Sequence, residues 1–242
     1  MEKAPKRRSL TEFAVEQIRK AIRNGDLAPN SFTTAEKLAS EMGMSRTPVR
    51  EALLRLEQAD MVRIERNQGV TILPVTTQDL EDAFQLRFML EVPAAYRAAE
   101  QAGTLGESTW ENLQKELDDM TAAAKKGDYT GFMECDERFH ELIHGATGNR
   151  RLPRVVREIR QAITDRGALT EKRLLDLGTL VGEHEAVRDA MLNRDPATAA
   201  AAMSDHLRNT YVRILDVKWP HQPDQPWFNP SFGLSQRTVA GD

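Results

Sequence analysis

Asp136, His140, His184 and His206 have the residue types and spacing of metal ligands carried on helices. Asp136 and His140 stand four apart, so on a helix they project from one face one turn apart. His184 lies within Gly182-Glu183-His184-Glu185-Ala186-Val187, and His206 within Ser204-Asp205-His206-Leu207. Each gap between successive histidines holds a turn and a return helix, so three helices can converge. Three imidazoles and one carboxylate suit a divalent transition metal, Zn²⁺ first and Ni²⁺, Co²⁺ or Fe²⁺ after it, and suit Mg²⁺ or Ca²⁺ poorly. The plainer alternative stays open. A helical histidine is commonly a hydrogen-bonded core or surface group, and Asp136 can pair with Arg138 or cap locally. His144 competes as a ligand one turn past His140, although Gly145 and Gly148-Asn149 point to fraying there. His221 stands in an aperiodic tail.

A second group of residues suits a different chemistry. Ser45-Arg46-Thr47-Pro48-Val49-Arg50-Glu51-Ala52-Leu53 follows Leu38-Ala39-Ser40-Glu41-Met42-Gly43-Met44 and reads as a tight turn feeding a helix. Ser, Thr and two Arg at the N-terminal end of a helix suit double-stranded DNA. Arg pairs bidentately with guanine, Thr touches a thymine methyl, and orphan helix N–H groups meet phosphates. Candidate contacts are Thr34, Ser45, Arg46, Thr47, Pro48 and Arg50, with Arg66, Asn67, Gln68 and Gly69 at a small wing tip. Lys6, Arg7 and Arg8 add attraction that weakens with salt. The plainer alternative is a solvated face on which Arg46 and Arg50 pair with Glu51 or Glu57.

These groups need elements to hold them. Leu10, Phe13, Ala14, Ile18 and Ile22 form a helical stripe over 9–24, ended by Asn24-Gly25. Thr34 caps a short second helix that Gly43 closes, and Ser45 caps a third with Pro48 in its first turn. Residues 61–66 and 70–73 alternate like strands around Asn67-Gln68-Gly69. Three helices and a hairpin make a winged helix-turn-helix over 1–74. Residues 75–79 read as a linker, with Thr77 a cap for the next helix. From there the pattern is helical, so the chain is mainly α, with an all-α antiparallel bundle over 80–217. Leu80, Phe84, Leu86, Leu90 and Ala94 form its first stripe, with Pro93 a point of bending, and Trp110, Leu113, Leu117 and Met120 form the next. Further helices are expected over 129–144, 152–169, 172–192 and 196–217, the last capped by Asp195 ahead of Pro196. Pro220, Pro223, Pro226 and Pro230 mark 218–242 as a tail in which Trp219, Trp227 and Phe228 can dock on a partner.

Composition agrees with a soluble two-part chain of 242 residues, 29% of them charged. Residues 1–74 hold 13 Lys/Arg against 10 Asp/Glu, a net of +3; residues 75–242 hold 20 against 27, a net of −7. A basic head on an acidic body fits a DNA-binding module joined to a small-molecule domain. No apolar run reaches membrane-spanning length, so no membrane partner is expected, and the N-terminus lacks the apolar stretch of a secretory signal. The single Cys135 allows no internal disulfide, which agrees with a cytoplasmic location.

Ser45 to Leu53 with the following hairpin resembles the head of the GntR superfamily of bacterial transcription regulators, over about residues 9–74. One position departs from it. Many members carry Arg two residues before the Leu matching Leu38, and here that residue is Glu36. The resemblance therefore implies that one phosphate or base contact is missing and that the operator differs. Asp136-Glu137-Arg138-Phe139-His140, then Gly148-Asn149, His184 and His206, resembles the pattern of the all-helical FCD effector domain of the FadR/VanR-type branch. That match covers about residues 80–217 and implies a metal at Asp136, His140, His184 and His206. It also implies that Arg87, in Leu86-Arg87-Phe88-Met89-Leu90-Glu91, meets an organic acid's carboxylate and that Asn149 contacts the effector. The ordinary alternative for Arg87 is a salt bridge to Glu91. The function expected on this resemblance is a non-enzymatic transcription regulator, by family habit a repressor. It would act as a homodimer on a palindromic operator and respond to a small carboxylate bound near the metal. Two other readings are a regulator whose signal is the metal itself, and a metal-dependent hydrolase with Glu137, Glu141 or Glu183 as base.

Overall fold

A computed structural model describes residues 9–65, 68–164 and 176–218. The chain divides into two compact units, one of Met1–Asp79 with Gln161–Thr170 and one of Leu80–Arg160 with Glu171–Asp242. In the first unit, α1 (Leu10–Asn24) opens on a Ser9 capping box, in which Ser9 Oγ accepts from Glu12 N and Glu12 accepts from Ser9 N. Its buried face is Thr11, Ala14, Ile18 and Ile22. Leu10 and Phe13, expected on that stripe, are 64% and 41% exposed, because the face that meets α3 starts one residue later. β1 (Phe32–Thr33), α2 (Ala35–Glu41), α3 (Arg46–Gln58), β2 (Val62–Glu65) and β3 (Gly69–Ile72) complete the unit. Thr34 caps α2 through Lys37 N, and α3 buries Val49, Ala52, Leu53 and Leu56 as its spacing predicts.

The wing is larger than a hairpin. β2 and β3 pair antiparallel with Val62 opposite Ile72 and Ile64 opposite Val70, while β1 joins the other edge of β3 with Thr33 opposite Val70. A two-residue strand carries too little periodicity to be read from sequence. Gly69 makes this closure possible. Its φ is +144°, and a Cβ there would come within 2.6 Å of the Thr33 carbonyl oxygen. One core joins helices and sheet through Ile18, Leu38, Leu53, Leu56, Val70 and Ile72.

Among the described residues the second unit holds helices and no strand. They are α4 (Thr77–Glu100), a 3₁₀ turn (Ala102–Thr104), α5 (Glu107–Lys126), α6 (Tyr129–Ala146), α7 (Leu152–Thr164), α8 (Leu177–Leu192) and α9 (Pro196–Lys218). The cap of α4 is Thr76 rather than Thr77: Thr76 Oγ1 accepts from Asp79 N, and the Asp79 carboxylate accepts from Thr76 N. α4 runs on through Pro93 to Glu100, and Leu80, Phe84 and Ala94 of the expected stripe are buried. Leu86 is 47% exposed, while Arg87 and Glu91 are buried beside Phe84 and Phe88. α6 continues past Gly145, so His144 is a buried helical residue rather than a frayed one. α8 begins at Leu177 behind an Asp176 cap, and Asp195 caps α9 by accepting from Thr198 N. The core threads Leu113, Leu117 and Met120 of α5 with Phe132, Phe139 and Ile143 of α6, Val187 and Met191 of α8, and Met203 and Leu207 of α9. The expected ends of α7 and α8 within 165–175, and the tail with Trp219, His221, Trp227 and Phe228, lie outside the described residues.

Candidate metal centre and nucleic-acid face

Asp136 and His140 on α6, His184 on α8 and His206 on α9 meet in the core of the second unit, with 6%, 1%, 1% and 3% of their surfaces exposed. One ligand atom from each lies within 4.8 Å of all the others. His140 Nε2 is 3.3 Å from His206 Nε2, and His184 Nε2 is 2.9 Å from Asp136 Oδ1.

The far side of each ring fixes what these atoms are. His184 Nδ1 lies 2.7 Å from the Leu180 carbonyl oxygen, His140 Nδ1 lies 2.6 Å from Glu91 Oε2, and His206 Nδ1 lies 3.1 Å from Glu183 Oε2. Carbonyl and carboxylate oxygens only accept, so each Nδ1 carries a proton and donates it. Burial, partly opposed by Glu91, pulls His140 down to about 3. Burial and the neighbouring His184 pull His206 down to about 4. These two rings are therefore neutral near pH 7, and their Nε2 atoms are bare lone pairs. Burial alone would raise Asp136, but Arg160 and the His184 hydrogen bond outweigh it and hold the carboxyl well below its usual range. His140 Nε2 and His206 Nε2 thus face each other as acceptors beside the Asp136 carboxylate, with no proton between the two rings, an arrangement that calls for a cation. Ligands about 2.0–2.2 Å from a tetrahedral Zn²⁺ stand roughly 3.3 Å apart, close to the spacings seen here. The residues present fit a divalent transition metal.

Several groups around this centre take roles that the sequence did not assign to them. Glu91 on α4 is fully buried, accepts from His140 and from His144 Nε2 at 3.1 Å, and also takes Arg87 Nε at 2.6 Å. Burial would raise its carboxyl, yet Arg87 and His140 hold it well below the usual range. Arg87 thus makes the one-turn ion pair that was its ordinary alternative, while its guanidinium lies over the Phe84 ring, 4.9 Å from the centroid. Arg160 on α7 pairs with Asp136 Oδ2, leaving Oδ1 toward His184. Glu183, held to about 2 against its burial by His206 and Arg213, locks the His206 ring. Asn149 is not brought to the cluster. It is exposed in the turn before α7, where its Oδ1 accepts from Arg151 N.

In the first unit, Ser45, Arg46, Thr47 and Arg50 are exposed at the start of α3, as is Gln68 on the wing, with Thr34 half-buried nearby. Ser45 occupies the N-cap position without a side-chain capping bond. Pro48 is buried, so it shapes the first turn from inside and does not face a duplex. Arg66 and Asn67 lie outside the described residues. Glu51 and Glu57, the partners of the arginines on the plainer alternative, are engaged elsewhere. Glu51 accepts from Thr11 Oγ1 at 2.7 Å, and Glu57 accepts from Ile64 N at 2.7 Å. The partner of Arg46 is Glu36, with Nη1 3.2 Å from Oε1.

Comparison with known proteins bears on both units. Residues 82–209 match the FCD domain, and residues 10–72 match the bacterial regulatory proteins of the gntR family. An uncharacterized HTH-type transcriptional regulator in the TAR-I ttuE-ttuC′ intergenic region of Agrobacterium vitis is 34% identical over 130 residues, 54% of this chain and 76% of that protein. The HTH-type transcriptional repressor RspR of Escherichia coli (strain K12) is 20% identical over 212 residues, 88% of this chain and 90% of that one. The structure of E. coli McbR/YncC shares the fold with a TM-score of 0.70 at 22% identity, covering 86% of this chain and 98% of that one. Among the described residues no helix is long and apolar enough to cross a membrane.

Proposed function

This chain belongs to the gntR family of bacterial regulatory proteins and carries an FCD domain, and on that premise we propose that a small carboxylate bound beside a metal ion sets its affinity for operator DNA. The family and the relatives are transcriptional regulators, not enzymes, so the hydrolase reading is set aside. Asp136, His140, His184 and His206 hold the ion, with Zn²⁺ the best match to three imidazoles and one carboxylate. The observation that carries this reading is the meeting of three imidazole Nε2 atoms and one carboxylate oxygen, each ring fixed from behind by an acceptor. A bound ion would supply Lewis acidity toward an anion.

The chain's own residues orient the ligands and balance their charge. Glu91 and Glu183 fix two rings, Arg160 turns Asp136 so that one oxygen faces the centre, and Arg87 is the counter-charge for the effector carboxylate. Asn149 lies on the exposed turn, and a part in effector binding would require that turn to close over the ligand. Two chains form a dimer on a roughly palindromic operator, which the carboxylate releases as from a repressor. A coupling of about 1–3 kcal/mol suffices for a 5- to 150-fold change in operator affinity.

A thermal-shift screen of the Zn²⁺-loaded protein against small mono- and dicarboxylates tests this reading. A true effector at about 100 times its Kd stabilises the parent by about 2.7 kcal/mol. That gain should vanish in Arg87→Ala and in His184→Ala. Equal gains in all three proteins would remove the metal and Arg87 from the effector site.

A further inference from the structure

The ion pair on the DNA-facing side of the first unit carries an inference of its own. Glu36 lies in the first turn of α2 and Arg46 is the first residue of α3, so two helix N-termini bring a carboxylate and a guanidinium together. Their side chains are 54% and 68% exposed, so both are open to a ligand. An exposed pair of this kind contributes only about 0–1 kcal/mol to stability, which gives folding little reason for it. A carboxylate here also works against attraction to phosphates. The two acids of α3 that could have met the arginines, Glu51 and Glu57, are bound to α1 and the wing instead. The groove beside Glu36 is walled in part by Leu53, Leu54 and Ile64, and its charged lining residues are Glu36, Glu65 and Arg50, two carboxylates against one cation, a surface better suited to a base edge than to a run of phosphates.

We propose that Glu36 and Arg46 read one G·C base pair together, Arg46 on the guanine and Glu36 on the cytosine, so that Glu36 determines operator specificity. The reading rests on DNA binding by this unit. Contact through Nη1 fixes the guanidinium plane and leaves its Nε and Nη2 hydrogens for guanine O6 and N7. The second lone pairs of the Glu36 carboxylate accept from the N4 amino group of cytosine, the base paired with that guanine. Thymine presents an acceptor at the corresponding place, so Glu36 disfavours an A·T pair in that register. Holding the two side chains in contact before binding also lowers the ordering cost at the moment of recognition.

The test is selection of binding sites from a random duplex library by the parent chain and by Glu36→Ala, Arg46→Ala, the double variant and Glu36→Gln, each checked for parental helicity. The parent should enrich G·C at one position, and both single alanine variants should lose preference at that same position. Each should lose about 5- to 150-fold of discrimination there, the worth of one good bidentate contact. The double variant should discriminate no worse than Arg46→Ala alone, because the two side chains act as a unit. Glu36→Gln, which keeps an acceptor oxygen, should retain part of the preference. Parental preferences at every position in Glu36→Ala, with uniformly tighter binding to all duplexes, would show that Glu36 only repels phosphates and would overturn the proposal. A parent that enriches no sequence would overturn the DNA-reading premise itself, a separate outcome.

Discussion

At the scale of single residues, the centre depends on the acids behind the imidazoles as much as on the imidazoles. Glu183 accepts from His206 and is itself held by Arg213 and Asn209, so removing its charge frees the ring to turn. Glu183→Gln should weaken Zn²⁺ binding about 10- to 100-fold in a competition titration with a chromophoric chelator, while the helix content stays parental. Unchanged affinity would mean that His206 is positioned by packing alone. The metal-stripped protein should also respond to pH in a defined direction. His140 at about 3 and His206 at about 4 lie below the 6.5 of an unfolded histidine. Between those limits the unfolded chain binds more protons, so stability falls as the pH drops and levels off above about pH 7. Urea unfolding should show a loss of about 2 kcal/mol per histidine between pH 7 and pH 5. The depressed carboxyls of Asp136, Glu91 and Glu183 act at lower pH, since what they contribute is present above about pH 4 and lost below it. Stability that held or rose between pH 7 and pH 5 would contradict neutral burial of the two rings. The convergence of Asp136, His140, His184 and His206 was legible in the sequence because Asp136 and His140 share a helical face. Arg160 was legible in principle, one turn past the buried Val156 on an amphipathic helix. Glu91 was not, because its use depends on which way α4 turns, and nothing local fixes that.

At the scale of elements, the wing is the point where one residue governs a sheet. Gly69 holds φ at +144° with the Thr33 carbonyl close by, so Gly69→Ala must push β1 off β3. The substitution should destabilise the first unit by more than about 1 kcal/mol. Hydrogen exchange should quicken at Thr33, Val70 and Ile72, with the helices of the second unit unchanged. Parental exchange at those amides would mean that the strand pairing does not depend on Gly69. The helices themselves were readable because caps and stripes are local. Thr34 and Asp195 each accept from a nearby backbone N–H in the first turn of their helix, as their positions predict. The register of a stripe is less local. Leu10, Phe13 and Leu86 fit an apolar pattern yet face solvent, because a helix turns whichever face its neighbours can bury.

At the scale of the whole molecule, the charge difference between the halves makes a prediction of its own. A head of net +3 should bind non-specific duplex DNA with an affinity that falls steeply with salt, and the isolated acidic body should not bind it. Fluorescence anisotropy of both across a salt series checks this, and salt-independent binding would count against phosphate contacts. If two chains meet one operator, the mass of the complex should be that of two chains on one duplex, and deleting half the site should abolish it. All of this rests on the claim that a divalent ion belongs among Asp136, His140, His184 and His206. Titration of the metal-stripped protein with Co²⁺, followed by ligand-field absorption in the visible, tests that claim most directly. Saturation at one ion per chain, with the absorption lost in the His184→Ala/His206→Ala double variant, is the expected result. No saturable absorption in the parent, or equal uptake by the double variant, would contradict it.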